Sequence, residues 1–213
     1  DISNIFWAAA TLRLDGTEIN DMLAALSKAV QRKAPDMKPQ EISNVIWAAG
    51  ILRFDGQEAT AAVATLCSEF LLTLKQFNPQ HLSNTAWGLA LLGFLDDQLM
   101  ALVADRVVQT ASSWRGTEIS FSLSEVLWAQ ARMEFKSKAL MAKVAEVLSS
   151  SPSSLDTLTD WSLCALVWSY VKLDPAREFA DFRRILVAKV SQRGFDAGAV
   201  NRAGLGPQEW ALS

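Results

Sequence analysis

The chain has 213 residues, half of them hydrophobic, a formal net charge of -3 and a sequence pI near 5.2. That balance excludes non-specific adhesion to nucleic acid or to an anionic membrane by bulk charge, so any nucleic-acid contact must be local. No run reaches the roughly 18 apolar residues of a membrane span, so no membrane insertion is expected, and Cys67 and Cys164 lack the Cys or His neighbours of a metal site or a supported disulfide.

Five tryptophans, Trp7, Trp47, Trp87, Trp128 and Trp168, are spaced by 40, 40, 41 and 40 residues. Each sits in a short phrase of the same kind, from Ile2-Ser3-Asn4-Ile5-Phe6-Trp7 through Leu163-Cys164-Ala165-Leu166-Val167-Trp168. A fixed period of this length marks stacked supersecondary units that share a core with their neighbours. The predicted fold is all-α, an α-solenoid of about five two-helix repeats.

In chain order the units are 1–38, 39–78, 79–118, 119–158 and 159–206, and residues 207–213 restart the phrase of 39–43. This phasing predicts a segment of a longer array. Each unit holds a helix A around its Trp and a helix B after a polar or Gly-containing break such as Asp15-Gly16, Asp55-Gly56 or Asp96-Asp97. Pro39, Pro79 and Pro207 suit the first helical position, where a missing N–H costs no hydrogen bond. Thr159 or Asp160, and Ser120 or Ser122, are the candidate caps of the other A helices. The B helices are predicted over 18–32, 57–74, 97–111, 137–148 and 176–192, with apolar residues recurring at three and four, as in Ile19, Met22, Leu23, Leu26 and Val30. The serine run 149–154 reads as a short flexible connection, and 194–206 as an irregular joint.

On a helical wheel of about 100° per residue most of helix A is apolar. The leftover stripe carries the residues six and three before the Trp and one and four after it. Helix A is expected to line a concave side, with B outside and each Trp filling the seam between its own B and the next A. The competing reading of the Trp rings is a platform for stacked bases.

The stripe supplies the binding candidates. Asn4, Asn44 and Asn84, with Glu125 at the equivalent place, can offer hydrogen-bonding tips, and Thr11, Arg132 and Lys172 share the position four after the Trp. A bonded ladder between repeats is the structural alternative for the Asn residues, and a solvated rim for the others. Cations gather late in the B helices, and Arg183, Arg184 and Arg193 form the densest stretch of a possible phosphate track. His81, the sole histidine, falls in a first helical turn, where a surface position without chemistry is expected. No nucleophile elbow, phosphate loop or metal-ligand spacing occurs, so no enzyme, no metal and no cofactor is expected.

The phrase Pro-Gln-x-Leu/Ile-x-Asn-x-x-Trp-Ala-x-Ala, followed by Leu52-Arg53-Phe54 or Leu92-Gly93-Phe94, resembles the octotricopeptide repeat. The likeness is best over 39–54 and 79–94, good over 2–14, weaker over 123–135, where Glu125 replaces Asn, and loosest over 163–173. It implies an organellar RNA-binding protein of mitochondrion or chloroplast, acting in transcript stabilisation, processing, translation or ribosome assembly on single-stranded mRNA or rRNA. The alternative it leaves open is a protein–protein scaffold or structural subunit of a large organellar complex such as a ribosome.

Overall fold

The computed structural model describes residues 1–54, 56–114, 118–150 and 152–194. The repeat restart at 207–213 and the joint beyond residue 194 lie outside them, as do Asp55 and Ser151. All regular structure among the described residues is helical. The A helices are α1 (Ile2–Thr11), α3 (Pro39–Ile51), α5 (Pro79–Leu92), α7 (Glu118–Arg132) and α10 (Asp160–Leu173). The B helices are α2 (Thr17–Lys33), α4 (Gln57–Thr73), α6 (Asp97–Thr110), α8 (Lys138–Ser149) and α11 (Ala180–Gln192), with the short α9 (Pro152–Asp156) between α8 and α10.

The chain divides into two compact units, one running to Leu99 and one from Met100 onward. In the first, α3 lies between α1 and α5, and α2 packs on α4, so A stacks on A and B on B. In the second, α7 packs on α10 and α10 on α11.

The phrase around each Trp can be decoded from these contacts. The Ser four before the Trp is buried in Ser3, Ser43, Ser83 and Ser124. Its small hydroxyl is satisfied locally: Ser43 donates to the Gln40 carbonyl (3.0 Å), Ser83 to that of Gln80 (3.2 Å) and Ser124 to that of Ser120 (2.6 Å). A buried polar group carries little penalty once so paired. Small residues then allow α3 and α5 to approach backbone to backbone. A Cβ added at Gly50 would stand 2.7 Å from the Gly88 Cα, and one at Gly88 would stand 2.9 Å from the Trp47 Cα.

The Leu-Arg-Phe and Leu-Gly-Phe triplets end helix A in a left-handed Schellman cap. Arg13, Arg53, Gly93 and Glu134 all have positive φ, between 48° and 65°. After each, the next N–H reaches back five residues: Leu14 to Ala9, Phe54 to Ala49, Phe94 to Leu89 and Phe135 to Gln130, at 2.9 to 3.0 Å. The cap turns the chain and drops Phe54 into the core beside Phe6, with ring centroids 6.3 Å apart.

Several helix ends differ from the sequence reading. α7 starts at Glu118, so Ser120 and Ser122 are buried inside it and do not cap it. Thr159 does cap α10, accepting from the Ser162 N–H at 3.1 Å. The serine run is partly helical, because Pro152 can open α9 without losing a hydrogen bond. α11 begins four residues later than predicted, at Ala180. The buried Asp174 carboxylate intercepts the chain there, accepting from the Glu178 N–H (2.9 Å) and the Phe179 N–H (2.8 Å). Sequence reasoning missed Asp174, since a lone Asp after a helix reads as a solvated loop.

Candidate nucleic-acid interface

The close approach of α3 and α5 orients every face of an A helix. Towards α5, α3 presents Ile46, Trp47 and Gly50; towards its predecessor α5 presents Gly88. At about 100° per residue the opposite flank of α3 carries Glu41, Val45, Ala48 and Leu52, and the inner flank carries the buried Ile42 and Ala49. What remains is an outer face bearing the residues seven and three before the Trp, the Trp itself, and the residue four after it.

This corrects the predicted stripe in one respect. The residue after the Trp is buried in Ala48, Gly88, Ala129 and Ser169; at Gly88 it is the point of contact with the preceding helix α3. The Trp moves outward in its place. Trp87 and Trp128 are buried, Trp47 and Trp168 are partly covered, and Trp7 is 48% exposed. The indoles are therefore not uniformly hidden in seams.

In the first unit the outer face carries Asn4, Asn44 and Asn84 in register, Asn4 exposed and the other two half-buried. No side-chain hydrogen bond is formed by any of the three among the described residues, so no Asn ladder ties these repeats together. Each amide keeps its donors and acceptor available at the surface. Thr11 is exposed, with its hydroxyl donating back to the Trp7 carbonyl at 2.8 Å.

In the second unit the same face is aromatic. Phe121 lies against Trp161 (centroids 5.7 Å apart) and Trp128 against Trp168 (6.2 Å, planes 36° apart). The positions four after the Trp close over these rings: the Arg132 guanidinium sits 5.5 Å from the Trp128 centroid, and the Lys172 ammonium 5.2 Å from that of Trp168. Such cation–π contacts are each worth about 0.5–1 kcal/mol at exposed sites. Lys172 also pairs with Glu134 at 3.2 Å. The predicted binding role for Glu125 fails, since its side chain is only 4% exposed.

Two of the three arginines of the basic cluster at α11 are engaged by the protein itself. Arg193 donates to the Leu158 carbonyl (2.7 Å), the Asp160 carboxylate (2.9 Å) and the Asp156 carbonyl (3.1 Å), stapling the end of α11 to the α9–α10 connection. Arg183 donates to the Asp174 carbonyl (3.2 Å), and the exposed Arg184 pairs with Asp181 (2.9 Å) on its own helix. These contacts make Arg183 and Arg193 structural ties; Arg184 alone of the three stays at the surface, with its charge locally balanced.

His81 is half-buried, edge-on to Phe77 with centroids 6.0 Å apart, and burial holds its pKa below the usual imidazole value. It belongs to the packing of α5 on the preceding turn more than to the surface. Among the described residues no group of three or more His, Cys, Asp or Glu side chains could hold a metal ion, and no helix is long and apolar enough to cross a membrane.

No protein-family model matches this chain, and no curated protein matches it either.

Proposed function

We propose that the protein binds single-stranded RNA along the outer faces of its A helices, in an organelle as the resemblance to octotricopeptide repeats implies, and serves transcript stabilisation, processing, translation or ribosome assembly. The observation that carries this reading is the register of Asn4, Asn44 and Asn84, three side-chain amides at equal spacing with no hydrogen bond among the described residues. Helical repeats that read RNA offer about one base site per unit, built from a few side chains. Beside Asn4 and Asn44 an exposed or partly exposed indole, Trp7 or Trp47, supplies a ring to stack on next to an edge to pair with, whereas at Asn84 the buried Trp87 leaves the amide to act alone. In the second unit, taken by itself, Arg132 and Lys172 supply charge at the equivalent positions of its own A helices, while Arg183 and Arg193 are committed elsewhere.

The test is crosslinking of the protein to cellular RNA, followed by binding of the recovered RNA across a salt series. The Asn44→Ala/Asn84→Ala protein is expected to lose affinity about tenfold or more and to relax its base preference, with helicity and salt slope unchanged, because an amide contacts a base and not a phosphate. RNA binding that ignores these changes would sink the reading. The second reading, a protein–protein scaffold, is favoured by the acidic balance of the chain; it requires that no RNA be recovered.

A further inference from the structure

Two arginines of the first unit are held in backbone that suits glycine. Arg13 and Arg53 occupy the same place in their repeats, six residues after Trp7 and Trp47, with φ of 50° and 48°. The third copy of the turn has Gly93 there, at φ of 65°. All three close with the same bond, from the N–H of Leu14, Phe54 or Phe94 back five residues at 2.9 to 3.0 Å. The turn therefore forms with glycine and needs no side chain at this position. A left-handed L-residue costs more than a cation gains beside the last carbonyls of a helix, so neither the cap nor the helix dipole accounts for an arginine in both places. Non-glycine residues in such backbone cluster at ligand-binding sites.

A side chain rooted at this turn reaches the outer face of the next A helix. In the second unit the equivalent residue is Glu134, with φ of 58°, and its carboxylate pairs at 3.2 Å with Lys172, which stands over the Trp168 ring on α10. By the repeat register Arg13 comes beside Ile51 of α3, and Arg53 beside Leu91 of α5. These neighbours are apolar and cannot form the pair that Glu134 makes with Lys172. Both arginines are exposed, Arg53 with α1 packed on one side of its helix and α5 on the other. Arg13 makes no side-chain hydrogen bond or ion pair among the described residues, not even with Asp15 two residues on, while Arg53 has a further interaction within the chain.

We propose that Arg13 and Arg53 are the phosphate contacts of the first unit, one guanidinium per repeat along the C-terminal edge of the outer face. The inference rests on the RNA reading and adds to it the cations that hold the strand while Asn4, Asn44 and Asn84 meet its bases. A guanidinium suits the task, because its planar fork donates two parallel hydrogen bonds to phosphate oxygens. A helices packed side by side place the two arginines at successive steps of a strand that crosses them at about one base per repeat. Gly93 leaves the third step without such a contact.

The test measures binding of the RNA recovered by crosslinking, and of an oligouridylate of the same length, to the full chain across a salt series. Arg13→Gln/Arg53→Gln keeps the left-handed backbone and removes only the charge. It is expected to weaken both RNAs alike, about tenfold, and to reduce the salt slope by about 0.7 for each arginine. Arg13→Gly/Arg53→Gly has the same effect on binding while the unfolding midpoint holds or rises, since glycine suits the turn. Gly93→Arg, where no atom lies within 4 Å of an added Cβ, lowers the midpoint and steepens the slope by a similar step. The base preference set by Asn44 and Asn84 stays as it was in all three. RNA bound with a slope that ignores these changes, or a glycine variant that loses stability and keeps its affinity, overturns the phosphate contacts and leaves the RNA reading standing. A protein that binds neither RNA takes both down.

Discussion

Gly50 and Gly88 meet backbone to backbone, at a separation where a methyl group on Gly50 would fall 2.7 Å from the Gly88 Cα. This contact sets the spacing of α3 and α5 and, through it, which face of each of these two helices looks outward. Substitution at Gly88 must therefore move a helix and not merely a side chain. Gly88→Val is expected to destabilise the first unit by about 1–3 kcal/mol, the usual range for overpacking. Chemical denaturation would show it as a lower midpoint. An unchanged midpoint would mean that α3 and α5 are not in this close register.

The tryptophans are expected to divide sharply in their structural importance. Trp128→Ala, in the second unit, removes a ring that is 1% exposed and should cost about 3–5 kcal/mol. Trp7→Ala removes a ring already 48% exposed, and should cost less than half as much. Equilibrium unfolding of the two variants makes the comparison directly. Equal losses would contradict the outward position of Trp7.

Arg193 is expected to behave as a structural tie and not as a phosphate contact. Arg193→Ala leaves the Leu158 and Asp156 carbonyls without their shared donor, and should lower stability by about 1–2 kcal/mol. RNA affinity, measured below the melting range, should keep its salt slope. A slope reduced by about one would return Arg193 to the phosphate-binding set.

Cys67 should resist thiol reagents until the protein unfolds. Burial first, and then the charge of Asp96, push its pKa up to about 12 from an ordinary 9.0. Because the folded value is the raised one, the associated stability is present in full below about pH 9 and is lost as pH rises from there towards 12. Unfolding midpoints should accordingly fall at alkaline pH. Cys67→Ala should flatten that fall in part, while Cys164, raised to about 11 mainly by burial, and the Tyr170 hydroxyl, also pushed well up by burial, should contribute to what remains. Rapid labelling of the native protein at pH 8 would refute the burial of both thiols.

The left-handed cap offers a further check at the one copy where glycine occupies it. Gly93 has φ of 65° and no atom within 4 Å of a Cβ placed there. Gly93→Ala therefore meets no steric obstacle except its own backbone conformation, and should cost about 1 kcal/mol. Thermal unfolding measures it. A stabilised variant would imply that the Schellman turn is not formed at this position.

Sequence alone determined the helical class and the alternation of A and B, because these follow from local patterns: a Trp every 40 or 41 residues, prolines at the starts of α3 and α5, and apolar spacing at three and four. The stripe it drew through Asn4, Asn44 and Asn84 runs along positions that are exposed at Asn4 and half-buried at the other two. Tertiary structure decided which way the Trp faces, since the wheel gives relative angles and only the Gly50–Gly88 contact fixes their zero. It decided that Glu125 is buried, and that the aromatic rings of α7 pair with Trp161 and Trp168 from a helix some forty residues away. It likewise decided the fate of Arg193, whose partners Asp156, Leu158 and Asp160 lie more than thirty residues earlier and leave no local trace of the bond. Periodicity is written along the chain, whereas burial and pairing depend on what the neighbouring helices bring.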